Sequence, residues 1–233
     1  AQSKIDQDKI RMLTKRKVEF VGNLKLISIL KNIKKNNNIS NGNSKLITLM
    51  LASTHDNEEA VLLPLIKELI IKNSNLRLII APRHPERAGK IINLCKSLKL
   101  FSSLESKKTK IENNIIVIDT FGILKKYFNI SDIVFLGGSL TNNGGHNPIE
   151  PAVCNCAILT GSKIFNWQNI FEDMIENKAC IKINSINELK INLSNLIKSK
   201  EKIKILKKNA YLFAQKQFVD TKVLNRVINN YLD

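Results

Sequence analysis

Long apolar runs are missing from this chain of 233 residues. None reaches the roughly 18 to 20 uninterrupted apolar residues that a spanning helix needs, and the opening "AQSKIDQDKI" has no apolar signal-peptide core. The expectation is a globular chain with the cytoplasm as its default compartment. Cysteine is scarce: Cys95, Cys154, Cys156 and Cys180 form no CxxC pair, and the three histidines stand far apart. That spacing argues against a disulfide framework or a structural metal site. Aromatic residues are only 6% of the chain and do not interleave with the basic runs, so no nucleic-acid partner is expected. Acidic residues number 20 against 37 Lys and Arg, a formal charge of +17. Lysine crowds the chain everywhere, as in "KNIKKNNNISNGNSK", which is a compositional bias rather than a built patch. Glycine is rare as well, yet four of the nine glycines fall within "FLGGSLTNNGGHNPIEPAV", residues 135–153.

With 43% hydrophobic residues the chain can bury a core as one large domain or two small ones. Short β-branched runs each lead into a longer helical pattern: "KLITLMLA" (45–52), "LRLIIAP" (76–82), "NIIVIDT" (114–120), "DIVFLGG" (132–138), "CAILTG" (156–161) and "ACIKI" (179–183). Near-continuous apolar runs fit strands covered on both faces. In "EEAVLLPLIKELI" the residues Val61, Leu62, Leu65, Ile66 and Leu69 recur on one helical face, and Pro64 must sit in the first turn or kink the helix. Strands alternating with helices predict an α/β fold with a doubly wound parallel sheet. Residues 31–45 read as a polar loop, "KRKVEFVGNLKL" as a short strand and turn, and 187–233 as successive helices with lysines outward.

Open parallel sheets bind ligands at the carboxyl ends of their strands. Four unusual loops fall there: "ASTHDNEE", "PRHPER", "DTFG" and the glycine cluster. All three histidines lie in them, although each taken singly has a local reading: His55 as a helix cap, His84 as a turn residue before Pro85, His146 as a loop residue. Gly144 and Gly145 permit positive φ and close backbone approach, and Asn147 followed by Pro148 suits an N-cap and first helical residue. Such a turn exposes N–H groups that hold phosphate, with His146 as a further donor. Glu150 in the first turn is placed to accept from ribose hydroxyls, or serves only the helix dipole.

These blocks, with "VGNLK", resemble the C-terminal half of 3-deoxy-D-manno-oct-2-ulosonic acid (Kdo) transferases, in the right order over nearly the whole chain. The resemblance implies the Rossmann-like C-terminal half of a GT-B glycosyltransferase with CMP-Kdo as donor, inversion at the anomeric centre, and neither metal nor cofactor. It puts Gly144, Gly145, His146 and Asn147 around the CMP phosphate and Glu150 on the ribose, with Gly138 and Ser139 of the same loop at the donor site. Arg83, with His84 beside it also at the donor site, would face the phosphate or the Kdo carboxylate. Ser53 and His55 would lie in the donor loop, and Asp119, Thr120 and Gly122 near the base. Ile123 stands where the family usually has an acidic residue.

The resemblance also implies that no catalytic residue lies in this chain, because the family carries its glutamate base in an N-terminal domain. Residues 1–30 then read as the tail of that domain and a linker, and 31–233 as the nucleotide-sugar-binding domain. Expected partners are CMP-Kdo, a lipid A precursor (lipid IVA), the anionic cytoplasmic face of the bacterial inner membrane, and the N-terminal half in cis or trans. Competing readings are another GT-B glycosyltransferase, a sugar-nucleotide epimerase, or a basic module held to anionic lipid or nucleic acid by charge alone.

Overall fold

The computed structural model describes residues 4–19, 46–107, 115–217, 226 and 229. They divide into two units, one of residues 1–40 with 214–233 and one of 41–213. In the first, helix α1 (Lys4–Thr14) is followed by a segment whose Val18 carbonyl accepts from Gln7 Nε2 at 2.6 Å. The strand and turn expected in "KRKVEFVGNLKL" lie mostly outside the described residues, as does the loop 31–45.

The second unit is built on a seven-stranded sheet: β1 (Ile47–Thr54), β2 (Leu76–Pro82), β3 (Ser102–Leu104), β4 (Ile115–Val117), β5 (Ile133–Leu136), β6 (Ala157–Thr160) and β7 (Ile181–Lys182). The order is β3-β4-β2-β1-β5-β6-β7, and every pairing is parallel. Both faces of the central strands are sealed, which is why their sequences run apolar without alternation. Leu49, Leu51, Leu78, Ile80, Ile133 and Phe135 pack on one face against helices α2 (Glu58–Lys72), α3 (Ala88–Ser97), α7 (Ile186–Ile197) and α8 (Lys200–Lys216). Met50, Ile79, Val134 and Ile158, of the opposite parity, are equally buried. On that side α4 (Leu124–Phe128) contacts β1 and α5 (Ile149–Val153) contacts β6, with α6 (Gln168–Glu176) adding buried Phe171 and Met174.

Two details depart from the sequence reading. Helix α2 begins at Glu58, so Pro64 lies inside it, beyond the first turn. Pro64 and Ala60 both face solvent, where the Ala60 carbonyl that loses its helical partner can be hydrated. Val61 is 47% exposed while Leu63 is fully buried, because the helix turns a broad face inward that also carries Glu58 and Glu59.

The topology decides where a ligand can go. From β1 the chain passes to β2, out to the edge strand β3 and back to β4 between them, then crosses to the opposite side of β1 with β5. The order therefore reverses between β1 and β5, and the loops leaving their carboxyl ends diverge around a crevice.

Candidate functional site at the β1 and β5 carboxyl ends

Strand β1 ends irregularly. Its register with β2 shifts between Ala52 and Thr54, and the intervening Ser53 takes φ 57°, a left-handed conformation costly for a non-glycine residue. The turn brings the backbone of Ser53 and Thr54 against the end of β5. A Cβ built on Gly137 would lie 2.6 Å from both Ser53 O and Thr54 Cα, so only glycine fits there. Gly138 follows at φ 66°, directly beneath the rings of His55 and His146.

A buried carboxylate locks the two loops together. Glu58, 1% exposed, accepts from His55 N (2.9 Å), Gly138 N (2.7 Å) and Leu140 N (3.1 Å). Such charge-assisted bonds to backbone N–H are the strong kind, and they span both sides of the switch point. Its neighbour Glu59 accepts from Thr54 Oγ1 (2.6 Å) and holds Arg87 through both oxygens (3.1 and 2.8 Å). Arg87 Nη1 in turn donates to Thr54 O at 3.1 Å, and Arg83 N donates to the same carbonyl at 2.9 Å. The loop after β2 is thereby fixed to the end of β1.

On this frame all three histidines meet. His55 Nε2 and His146 Nε2 are 2.9 Å apart, and the His84 ring stands edge-on to His55 at 6.3 Å. The His55 and His146 ring planes are within 9° of parallel with centroids 5.1 Å apart. That separation exceeds the N···N distance by about one ring width, so the rings lie nearly end to end and share an in-line Nε2–H···Nε2 hydrogen bond. One ring must therefore carry hydrogen on Nε2 while the other offers a bare lone pair. Burial lowers the His146 pKa to about 4, aided by the positive neighbours His55 and Arg83. His55 is also lowered, chiefly by burial, with the Glu58 charge opposing and His84, Arg87 and Arg83 reinforcing.

A histidine depressed in this way prefers its neutral form when folded. Its contribution to stability is present above the ordinary value of 6.5 and is lost as pH falls toward about 4. The urea midpoint should drop more between pH 7 and pH 5 for the parent protein than for His146→Gln. Equal drops would show that His146 is not the group responsible.

The glycine loop closes through Gly145 N to Gly138 O at 2.9 Å. Asn147 Oδ1 accepts from Ile149 N at 2.9 Å and Ala152 N donates to Pro148 O at 3.2 Å, so Asn147 caps and Pro148 opens the helical turn. Glu150 is half-buried in α5, and its carboxylate accepts no hydrogen bond among the described residues. Burial raises its pKa, with Lys125 partly offsetting. Arg83 is exposed and forms no ion pair among the described residues, whereas His84 Nδ1 lies 3.6 Å from Glu86 Oε1.

Other expected contact residues are placed differently. Ser139 is fully buried, donating to Leu136 O (2.5 Å) and accepting from Gly161 N (2.8 Å), which makes it part of the wall. Asp119 is engaged with Ser106, whose N and Oγ donate to it at 3.1 and 2.5 Å; Thr120 and Gly122 beside it are exposed. The sequence reading passed over Glu58 and the segment after β6, where Asn166 Nδ2 donates to Asn143 O (2.7 Å) and Asn166 N to Gly144 O (3.0 Å). Phe165, 57% exposed, covers Gly144 from the same segment. Its position immediately beyond the "CAILTG" strand was the available signal.

The loops at the switch point thus bring together Arg83 and the paired histidines, with the uncommitted Glu150 carboxylate just beyond the glycine loop. That set suits an anionic group joined to a polyol. Among the described residues no group of three or more His, Cys, Asp or Glu is arranged to hold a metal ion, and no helix is long and apolar enough to cross a membrane.

No protein-family model matches the chain. Among curated proteins, a 3-deoxy-D-manno-octulosonic acid transferase of Haemophilus influenzae is 37% identical over 153 residues, covering 64% of this chain and 36% of that protein. The transferase of Rickettsia typhi is 30% identical over 220 residues, covering 92% of this chain and 47% of its own length. The chain therefore spans less than half of these relatives. Among solved structures, the C-terminal CMP-Kdo binding domain of WaaA from Acinetobacter baumannii superposes with a TM-score of 0.69 at 26% identity, covering 81% of this chain and 98% of that one. MnaA of S. aureus with UDP matches at TM-score 0.63 and 16% identity, covering 100% of this chain and 58% of that one, a likeness of fold. By sequence and by its Rossmann-like GT-B fold, the chain is a relative of the 3-deoxy-D-manno-octulosonic acid transferases and matches the C-terminal domain of that family.

Proposed function

We propose that the chain binds CMP-Kdo in the crevice between the β1 and β5 loops, as the donor half of an enzyme that transfers Kdo to a lipid A precursor, lipid IVA. The observation that carries this reading is the convergence of His55, Arg83 and His146 at the switch point, with the uncommitted Glu150 on the same loop. Arg83 and His146 hold the phosphate, and Glu150 accepts from the ribose hydroxyls. Gly138 N is already held by Glu58, so the glycine loop contributes shape and close approach more than that particular donor. The relatives are longer than this chain, and we assign the acceptor site and the general base to the part of the family that it does not match. The +17 charge then favours work beside anionic lipid at the inner leaflet.

Calorimetric titration with CMP, UDP and GDP tests the donor; CMP should bind tightest, and equal affinities would sink the assignment. Glu150→Ala should cost roughly 1.5 to 3 kcal/mol of CMP affinity, the range for a hydrogen bond to a charged group. The 2′-deoxy and 3′-deoxy nucleotides should bind the parent protein weakly and lose little more in Glu150→Ala. Additive losses would place Glu150 away from the ribose.

A further inference from the structure

We propose that the His55–His146 pair takes up one proton when a phosphodiester docks beside it, with His55 acting as a positioning residue that makes His146 a charged donor on demand. The proposal rests on the donor-site reading above and adds its coupling to protons.

The geometry dictates the bookkeeping of hydrogens. In the neutral pair the two Nε2 atoms share one hydrogen, 2.9 Å apart. The ring that donates through Nε2 has a bare Nδ1, and the ring that accepts carries hydrogen on Nδ1. Only one of the two outer nitrogens is then a donor. Adding one proton leaves the inner Nε2–H···Nε2 bond intact and turns the remaining Nδ1 into a donor. The pair becomes a cation that donates at both ends, the form an anionic oxygen selects. A second proton would set Nε2–H against Nε2–H and break the contact, so uptake stops at one.

The surroundings hold the pair neutral until an anion arrives. Arg83 and His84 face it from the loop after β2, Arg87 from the start of α3, and Glu58 from the start of α2. Glu58 is the one opposing charge, and its oxygens already serve three backbone N–H groups. Arg87 is paired with Glu59 and lies 2.6 Å from Asp56, leaving Arg83 as the nearby cation without an ion pair among the described residues. A docked phosphodiester would neutralise Arg83 and set its own negative charge beside the pair, offsetting the burial that chiefly keeps the pair unprotonated.

Calorimetry of the methyl ester of CMP at pH 7, in buffers of different ionisation enthalpy, reads the uptake directly. This ester is a phosphodiester that does not titrate near neutrality, so proton exchange reports the protein. The expected result is uptake of about one proton per ligand, with affinity rising up to about tenfold per pH unit as pH falls from 7.5 to 6.5. Cytidine should bind without uptake. His55→Gln should bind the ester more weakly at pH 7 and lose both the uptake and the rise of affinity with falling pH. Because that variant could fail for structural reasons, ring-nitrogen NMR of the parent protein gives a second reading. Ligand should move the bare Nδ1 resonance to the protonated position while the other ring changes little. Tight binding with buffer-independent enthalpy and unmoved ring nitrogens would overturn the proposal and leave the donor site standing. Absence of any binding would overturn both.

Discussion

Glu58→Ala is expected to lower the unfolding free energy by about 3 to 5 kcal/mol. The carboxylate is 1% exposed and satisfies three backbone donors, of which Gly138 N is itself buried. Alanine leaves those donors without their acceptor, and an unmet buried donor costs more than a bond is worth in place. Glu58→Gln keeps one acceptor oxygen and should lose less, although its amide hydrogens would face donors. Urea denaturation at pH 7 measures both. A loss under about 1 kcal/mol for alanine would mean that the loops are held by other contacts and that the clamp is incidental.

The second large effect comes from two chemically identical substitutions with opposite outcomes. Gly137→Ala adds a methyl group that would lie 2.6 Å from Ser53 O and Thr54 Cα and 2.8 Å from Thr54 N. All three are backbone atoms at the junction of β1 and β5, so no side chain can swing aside; the strand ends must part. Overpacking of this kind costs about 3 kcal/mol, and here it also displaces Gly138 from beneath the histidines. Gly89→Ala, in α3, meets nothing within 4 Å and should stabilise by about 0.5 to 1 kcal/mol through helix propensity. Thermal or urea unfolding of the two variants checks the contrast. Similar stabilities would remove the steric argument for glycine at the strand end.

The parts of the molecule that were legible in sequence are those where burial leaves a chemical trace. "KLITLMLA" announced β1 because both faces of that strand are covered, and "FLGGSLTNNGGHNPIE" announced a turn because only glycine tolerates its dihedral angles and close approaches. Strand β3 left no trace: "SSL" is half-exposed at the sheet edge and carries no apolar run. The placement of the histidines in loops at strand ends could be read, but not the Nε2···Nε2 contact, which depends on how two crossovers fold back. Glu58 was hidden for a different reason. A helix-initial glutamate ordinarily faces solvent and favours the dipole, and nothing local distinguishes one that turns inward to receive another loop's amides. Asp119 and Ser139 show the reverse: residue type and loop suited ligand contact, and the fold employs both side chains internally.

The Glu58 clamp joins groups 80 and 82 residues apart in the chain, and the histidine contact spans 91. Loops of that length close late, after local helices and neighbouring strands have formed. Until β5 arrives beside β1, Glu58 lacks two of its three donors, so a sheet assembled only from the first strands carries a carboxylate it cannot yet bury. During synthesis from the N-terminus, the β1–β4 side should therefore remain open and hydrated at its ligand-facing end. Docking of β5 then brings the two loops of the crevice together while β6 and β7 are still to be added, so that a molecule presenting this crevice is also one whose central strands are in place.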